Sequence, residues 1–423
     1  MTILPRRLAA LATVILVGAM VTILALRALG APVAVGPAPT DSPAPSGSDA
    51  APSPAASDDP LAVFAQIEAQ VSELRGLPPA DIGPPDVISR AALADELKRI
   101  FDETWTPRQL AADNLTLRAM GLLTPSQDIR TLTESLYNDQ VLGFYDFETR
   151  RMVVVTDAGL TPEAKITYAH EFTHAMQDAA FDTGAGHDEE AQEDDGTLAM
   201  LALEEGDASV AMVRWAFAGN LSPEELAGIG STPVPDMSGI PSWMVKQLTF
   251  PYETGAGFVS QLFARGGWGA VNRAYRQPPA STEQVLHIEK YLGHEPPARV
   301  PESTLAAGLG SGWRDEESTT IGEAMTAIWL QELGVSQAHA TEAAAGWGGD
   351  QLTVADGPRD QWAMEWRLVW DTPADADEFI NRQAEITTRL PFMRVVRRAD
   401  ETTTLIFHAS SATVMRQITD ESR

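Results

Sequence analysis

The sequence predicts an α+β protein that is mostly helical, and three observations lead to this fold class. Several segments within residues 61–315 of the 423-residue chain look like helices, and one of them has a clear N-cap at Thr161. A β-prone hairpin at residues 141–155 comes directly before one of those helices. Strand-like and helical segments alternate within residues 316–423. These observations predict a helical domain with a small sheet, followed by a C-terminal α+β unit.

The first thirty residues predict a transmembrane anchor. Residues 8–26 form an apolar run of nineteen residues without a charge, which is long enough to cross the hydrocarbon core. Arg6 and Arg7 precede the run, so we expect the N-terminus to stay in the cytoplasm. A cleaved signal peptide is the alternative, and both interpretations place the rest of the chain outside the cytoplasm. Residues 31–60 are rich in Ala, Pro and Ser, which predicts a disordered linker.

Composition excludes several classes of protein. The chain has no Cys, which excludes a disulfide scaffold, a thiolate metal site and a Cys nucleophile. It carries 59 acidic and 30 basic residues, for a net charge of −29. Such a surface repels nucleic acid and suits a soluble domain outside the cell. We therefore expect no nucleic-acid partner.

The folded part begins near residue 61 with helices and one hairpin. Helices are predicted before the hairpin at residues 61–77, 89–101, 106–121 and 128–137. The hairpin at residues 141–155 has two β-prone runs around a turn at residues 146–150.

The next predicted helix carries the most informative motif of the chain, H-E-x-x-H at residues 170–174. Thr161 is a suitable N-cap and Pro162 suits the first helical position. On this helix His170 and His174 lie one turn apart on one face. Two imidazoles in this arrangement can bind one Zn²⁺, and Glu171 between them can act as a general base.

A catalytic zinc site needs a third protein ligand and a fourth position for water. Gln177 and Ala180 stand where the H-E-x-x-H-x-x-G-x-x-H class has its Gly and third His, so that class is excluded. The apolar helix predicted around residue 205 offers Glu204 or Glu205 instead, because carboxylates in so apolar a segment need a partner. With either ligand, Asp207 is a candidate to accept a hydrogen bond from a metal-bound imidazole.

A resemblance to a known family favours one of the two carboxylates. Residues 204–208 read Glu-Glu-Gly-Asp-Ala and resemble the Asn-Glu-Gly-Phe-Ala segment of gluzincin aminopeptidases, in which the Glu binds zinc. The resemblance implies that Glu205 is the third ligand, beside His170 and His174. It also implies a zincin-like catalytic domain over residues 61–315 with a small sheet. Helical geometry alone leaves Glu204 as the alternative ligand.

The resemblance also bears on substrate binding and on the oxyanion. In zincins the edge strand of the small sheet borders the cleft, so the predicted hairpin could bind a substrate peptide by strand addition; a purely structural hairpin is the alternative. Tyr and His both stabilise the oxyanion in gluzincins. The candidates are Tyr252, ahead of a helix expected to start near Gly257, and His287 in the segment Ser-Thr-Glu-Gln-Val-Leu-His at residues 281–287.

The remaining motifs predict no further chemistry. The acidic segment at residues 182–195 is expected to be a solvated loop, with a Ca²⁺ site as the alternative. Three other histidines, namely His294, His339 and His408, have no motif around them and are expected to be packing or surface residues.

The C-terminal unit is predicted at residues 316–423. Helices are expected at residues 320–333, 336–345 and 374–388. A tight turn at residues 346–350 is expected to lead into a strand at residues 351–355. Residues 362–370 alternate as a strand, and residues 393–398 with 402–408 predict a hairpin.

The function predicted from these observations is zinc-dependent hydrolysis of peptide bonds by a membrane-anchored, extracytoplasmic metalloprotease of gluzincin type. The expected cofactor is Zn²⁺, the expected substrate is a protein or peptide, and the membrane is contacted through the N-terminal helix. Two alternatives remain: a catalytically inactive zinc-binding extracellular interaction module, and a hydrolase of cell-envelope amides. No Gly-Ala-Met-Glu-Asn type motif is found, which argues against aminopeptidase action.

Overall fold

The computed structural model describes residues 59–155, 160–184, 195–231, 237 and 239–421. Across these ranges the protein is α+β and mostly helical, as the sequence predicts. The predicted anchor at residues 8–26, the linker up to residue 58 and residues 185–194 of the acidic segment lie outside the described residues. In the part of the chain that the structure describes, no helix is both long and apolar enough to cross a membrane.

The first half of the described chain is mostly helical. Its helices are α1 (Pro60–Arg75), α2 (Arg90–Thr104), α3 (Pro107–Met120), α4 (Ile129–Gln140), α5 (Pro162–Phe181) and α6 (Asp195–Trp215). Capping residues fix several boundaries. Thr106 and Gln109 form a capping box at the start of α3, and Gly121 ends that helix with a left-handed φ of 82°. The predicted helices in this half are confirmed.

The N-terminal half also contains a three-stranded sheet. Two of its strands lie between α4 and α5 in the sequence, and the third lies between α1 and α2. Its strands are β1 (Asp86–Ile88), β2 (Gly143–Asp146) and β3 (Arg151–Val155), in the order β1-β3-β2. β2 and β3 form the predicted antiparallel hairpin, in which Asp146 Oδ1 accepts hydrogen bonds from the backbone N–H groups of Glu148 and Thr149. β1 pairs in parallel with β3 and was not predicted. β2 therefore lies at an edge of the sheet.

Helices continue after α6. They are α7 (Pro223–Ser231), α8 (Ser242–Ala274), α9 (Thr282–Leu286), α10 (Ile288–Leu292) and α11 (Leu305–Leu309). The prediction of a helix that starts near Gly257 is wrong, because α8 begins at Ser242 and includes Pro251. An internal Pro removes one helical hydrogen bond, but α8 buries large side chains such as Trp243 and Phe258, which offset that cost.

The C-terminal unit is built on an antiparallel sheet. Its elements are β4 (Arg314–Thr319), α12 (Gly322–Glu332), α13 (Gln337–Ala344), β5 (Trp347–Asp356), β6 (Trp362–Trp370), α14 (Pro373–Arg382), β7 (Met393–Arg398), β8 (Thr403–Ala409) and α15 (Ala412–Glu421). The strand order is β4-β5-β6-β8-β7. The predicted strand at residues 362–370, the hairpin and the first two helices are confirmed.

Two predictions in this unit are wrong. Residues 347–350, expected in a tight turn, already belong to β5. Gly346, whose φ is 79°, is the only residue of the expected turn outside this strand. The pairing of β5 with β6 shifts its register between Trp347 and Gly349. The helix expected at residues 374–388 ends at Arg382 and continues only as a short 3₁₀ turn.

The two predicted units share one hydrophobic core, which extends from Phe64 of α1 to Ile406 of β8. The end of α3 joins them, because the last carbonyl groups of a helix have no partner within it. Trp329 Nε1 donates to the carbonyl oxygen of Met120 at 2.9 Å, and His408 Nδ1 donates to that of Ala119 at 2.6 Å. The C-terminal unit thus supplies hydrogen-bond donors to a helix of the N-terminal half.

Candidate metal centre

The H-E-x-x-H motif lies in the middle of α5. Thr161 is the N-cap, as predicted, and its hydroxyl accepts a hydrogen bond from the N–H of Ala164 at 3.2 Å. His170 and His174 are buried and lie on one face, with their Nε2 atoms 3.1 Å apart. These two ring nitrogens supply two of the three atoms of a candidate metal-binding cluster.

Glu205 of α6 completes the cluster. Its Oε2 lies 3.0 Å from Nε2 of His170 and 3.5 Å from Nε2 of His174. A tetrahedral zinc ion with bonds of about 2.0–2.1 Å requires ligand atoms about 3.3 Å apart. The three measured separations, 3.0, 3.1 and 3.5 Å, fit this requirement. The donor set of two imidazoles and one carboxylate also suits Zn²⁺.

The structure brings Glu205, and not Glu204, to the two histidines. Neighbouring residues on a helix point about 100° apart, so only one of them can face α5. Glu204 approaches α5 with its main chain instead, since its carbonyl oxygen accepts a hydrogen bond from Gln177 Nε2 at 3.0 Å. This arrangement agrees with the ligand that the gluzincin resemblance implies.

Burial changes the acid–base properties of the cluster. Burial, with a smaller contribution from the charge of Glu204, raises the pKa of Glu205 to about 7, although the hydrogen bond to His170 opposes the shift. Burial lowers the pKa of His170, which favours the neutral ring that a metal requires. Burial and the charge of Glu205 raise the pKa of Glu171 well above its usual value. Burial therefore favours the neutral form of both carboxyl groups, whereas a bound cation would favour their ionised form.

Glu171 lies beside the edge strand of the small sheet. Its Oε2 accepts a hydrogen bond from the backbone N–H of Tyr145 in β2 at 3.2 Å. The hydroxyl of Tyr145 donates to Oδ2 of Asp178, about two turns further along α5 than Glu171, at 3.0 Å. β2 is therefore attached to the motif helix at two points, and its outer edge adjoins the carboxyl group proposed as the base.

The two predicted oxyanion donors have different neighbours. The ring of Tyr252 in α8 stacks on the imidazole of His170, with centroids 5.9 Å apart, and its side chain hydrogen-bonds to Glu205. Burial and the charges of Glu205 and Glu171 raise the pKa of Tyr252 well above its usual value, so its hydroxyl keeps its proton. His287 lies between α9 and α10, where Nε2 contacts Glu323 Oε1 at 2.9 Å.

The residue behind His174 differs from the candidate that the sequence offered. Asp207 was a candidate to accept the second N–H of one of the two histidines, but Gln177 Oε1 lies 2.8 Å from Nδ1 of His174. Asp207 binds the other end of the Gln177 amide and forms a buried ion pair with Arg75. Gln177 could have been found from its spacing, because it follows His174 by three residues on a helix. Arg75 is 132 positions from Asp207 and has no local signal.

The segment at residues 281–287 has a structural role. Ser281 caps α9, and Thr282 donates from its hydroxyl and its N–H to the carboxylate of Asp195, at 2.5 and 2.8 Å. Asp195 is the first residue of α6. The segment therefore fixes the start of the helix that carries Glu205.

A second acidic cluster already contains a cation. Its carboxylates belong to Glu283, Glu295 and Asp371. The ammonium group of Lys290 lies between them, 2.6, 2.9 and 2.5 Å from their oxygen atoms. The ammonium group therefore occupies the position between the three carboxylates that a metal ion would take.

A cavity of about 870 Å³ opens between α3 and the C-terminal sheet. The residues that line it include Trp362 and Phe392 and the ion pairs Arg108–Glu316 and Arg314–Asp356. The residues that line it do not include His170, His174 or Glu205.

Comparison with known proteins covers only the end of the chain. Residues 309–419 match a family described as Domain of unknown function (DUF8575). The matched segment runs from the end of α11 into α15 and leaves out the helices that carry the cluster. Neither the curated proteins nor the solved structures include a match to this chain.

Proposed function

We propose that the protein is a zinc-dependent peptidase of gluzincin type. The observation that carries this proposal is the triangle formed by the Nε2 atoms of His170 and His174 and the Oε2 atom of Glu205, with sides of 3.0 to 3.5 Å. The carboxyl group of Glu171 lies on the same helix, directly after the first ligand. A general base beside a three-ligand zinc site is the arrangement that hydrolysis of an amide by water requires.

Each residue of the site has a role in this proposal. Zn²⁺ bound by the two imidazoles and Glu205 would supply Lewis-acid chemistry, which makes water more acidic and polarises a carbonyl group. Glu171 accepts the proton of the attacking water and delivers it to the leaving amine. Tyr252 keeps its hydroxyl proton and, in this proposal, turns it from Glu205 to the oxyanion as charge develops there.

The edge of β2 lies beside the proposed base, and substrate binding in this proposal uncovers residues 143–145, which are buried in the structure. It adjoins Glu171 through the N–H of Tyr145. An extended peptide can add to such an edge by main-chain hydrogen bonds, and its side chains then alternate between the two faces. The proposed substrate is therefore a protein or peptide in an extended conformation. The N-terminal sequence supports a single-pass anchor that holds this site outside the cytoplasm.

Digestion of a proteome-derived peptide library by the full-length protein in detergent tests the proposal. Wild type, Glu171→Gln and Glu163→Gln are compared, because Glu163 lies on the same helix in its first turn. We expect wild type and Glu163→Gln to cleave peptides, and Glu171→Gln to bind zinc but lose nearly all cleavage. Equal cleavage by Glu171→Gln would refute the role of Glu171.

The same experiment separates the enzyme from its alternatives. A parallel digestion of peptidoglycan fragments tests for cell-envelope amides. If wild type cleaves neither class of amide while it binds zinc, and Glu171→Gln retains the same partners in a pull-down, the interaction-module alternative replaces the peptidase.

A further inference from the structure

A chain of hydrogen bonds reaches His174 from the side opposite the cluster. Gln177 Oε1 lies 2.8 Å from Nδ1 of His174. The amide nitrogen of Gln177 donates to Oδ2 of Asp207 at 3.2 Å and to the carbonyl oxygen of Glu204 at 3.0 Å. Arg75 then holds Asp207 through two parallel bonds of 2.7 and 2.9 Å. All four side chains of the chain are buried.

The network determines which end of the Gln177 amide faces the histidine. Both oxygens of Asp207 accept N–H bonds from the guanidinium of Arg75, and Oδ2 also accepts the hydroxyl of Tyr275 at 2.9 Å. Asp207 therefore offers only acceptors to Gln177, as does the carbonyl group of Glu204. The NH₂ group of Gln177 must face these acceptors, and its carbonyl oxygen must face His174.

This orientation fixes the tautomer of His174. An amide oxygen can only accept a hydrogen bond, so Nδ1 of His174 must carry the proton. The lone pair is then on Nε2, which is the atom that faces His170 and Glu205. We propose that Gln177 is a positioning residue that, with Asp207 and Arg75 behind it, holds His174 in the tautomer and orientation that bind the metal. This inference rests on the proposed zinc site.

The last residue of α1 thereby becomes part of the support for the metal site. The side chain of Arg75 is fully buried, and its guanidinium lies over the ring of Trp268, 4.4 Å from the centroid. The stacked, bidentate geometry leaves little freedom to Asp207. Without that restraint, Gln177 could rotate its amide and present NH₂ to His174, which would favour the tautomer with the proton on Nε2.

Zinc affinity of the full-length protein provides the first test, measured by competition with a chromophoric chelator. Gln177→Met keeps the volume of the side chain but removes the acceptor, and Gln247→Met makes the same change at another buried glutamine, in α8. We expect Gln177→Met to bind zinc about 10–100-fold more weakly than wild type. We expect Gln247→Met to bind zinc as wild type does. Equal affinity of Gln177→Met and wild type would overturn the inference.

A spectroscopic measurement tests the tautomer without the metal and without a variant at Gln177. In metal-free protein labelled with ¹⁵N-histidine, long-range ¹H–¹⁵N correlations distinguish a proton on Nδ1 from one on Nε2. The signals of His174 are assigned by their loss in His174→Gln. We expect the proton on Nδ1, and a proton on Nε2 would overturn the inference even if Gln177→Met fails to fold. Wild type that binds no zinc at all would instead overturn the proposed function, and the metal role of Gln177 with it.

Discussion

Gly206 of α6 lies so close to Gly255 of α8 that a Cβ atom on Gly206 would be 2.3 Å from the carbonyl carbon and oxygen of Gly255. In the opposite direction, a Cβ atom on Gly255 would be 2.1 Å from the carbonyl oxygen of Ala202. The two helices therefore touch backbone to backbone. Glu205 precedes Gly206 and Tyr252 lies one turn before Gly255, so this contact sets the position of the proposed ligand relative to the proposed oxyanion donor.

The contact between the helices predicts a difference between two Gly→Ala variants. Gly206→Ala must push the helices apart, which should cost about 1–3 kcal/mol of unfolding free energy and weaken zinc binding. Gly257 lies on α8 with no atom within 4 Å of the added Cβ, so Gly257→Ala should stabilise the protein by up to about 1 kcal/mol. Urea unfolding of both variants measures these changes. Equal unfolding midpoints for Gly206→Ala and Gly257→Ala would contradict the backbone contact between α6 and α8.

Metal content distinguishes the two adjacent carboxylates. We expect one Zn²⁺ per chain in wild type, because three side chains converge on a single position. Glu205→Gln should lose most of the zinc, since its Oε2 is the atom 3.0 Å from His170. Glu204→Gln should retain zinc. Elemental analysis after gel filtration measures both variants. Undiminished zinc in His170→Ala would show that the cluster does not bind the metal.

Kinetics of peptide cleavage should separate the two candidates for oxyanion stabilisation. Tyr252→Phe keeps the ring that stacks on His170 but removes the hydroxyl, so we expect kcat to fall by about 10²–10³ with little change in KM. We expect His287→Ala to keep a kcat near that of wild type, because His287 pairs with Glu323. The opposite order of the two effects would assign the donor role to His287.

His408 predicts a loss of stability in mild acid. Burial lowers its pKa from 6.5 to about 3, and the nearby charge of Arg394 adds to the shift. The unfolded chain therefore takes up the proton first, so the contribution of His408 to stability is complete above pH 6.5 and is lost as the pH falls toward 3. Between pH 7 and pH 5 the expected loss is about 2 kcal/mol.

Urea unfolding at both pH values tests this contribution. His408→Asn keeps a donor for the carbonyl group of Ala119 but cannot be protonated, so it should lose about 2 kcal/mol less than wild type on acidification. The control is His294→Asn, at an exposed histidine. This variant should lose as much unfolding free energy on acidification as wild type does. An equal loss in His408→Asn and wild type would mean that His408 does not cause the acid sensitivity.

Cell fractionation addresses the predicted anchor. Full-length protein should remain in the membrane pellet after a high-salt wash, because an apolar run of nineteen residues is long enough to hold it there. A protease added outside the cell should reach the domain that contains the H-E-x-x-H motif. Recovery of a freely soluble chain that begins near Ala31 would favour a cleaved signal peptide.

The sequence predicted the parts of the fold that depend on local signals. α3 and α5 have capping residues within a few positions of their ends, and the turn between β2 and β3 is held by the side chain of Asp146. β1 was missed because three residues carry too little pattern, and its partner β3 lies more than sixty positions away. The start of α8 was misplaced because Pro251 reads locally as a helix break, whereas burial along the helix maintains it.

For the candidate site, too, the sequence predicted the local relationships and missed the long-range contacts. His170 and His174 are related by helical spacing, which the sequence displays directly. Glu205 was selected over Glu204 by the family resemblance, and the fold brings Glu205 to the histidines through packing that the residues alone do not reveal. The ion pair of Arg75 with Asp207 joins α1 and α6, which are far apart in the sequence. Contacts of this kind follow from tertiary packing, so no periodicity or motif in the sequence predicts them.

The carbonyl groups of Ala119 and Met120 at the end of α3 limit which proteins could accept the C-terminal segment in a gene fusion. A transplanted segment of residues 309–419 would leave the imidazole of His408 and the indole of Trp329 without these acceptors. Both groups would then be buried donors that any new host must satisfy. A compatible host would have to offer a helix end with two open carbonyl groups at the same spacing. Gene fusions that carry α3 along with the segment should therefore yield more soluble protein than fusions that begin at residue 309.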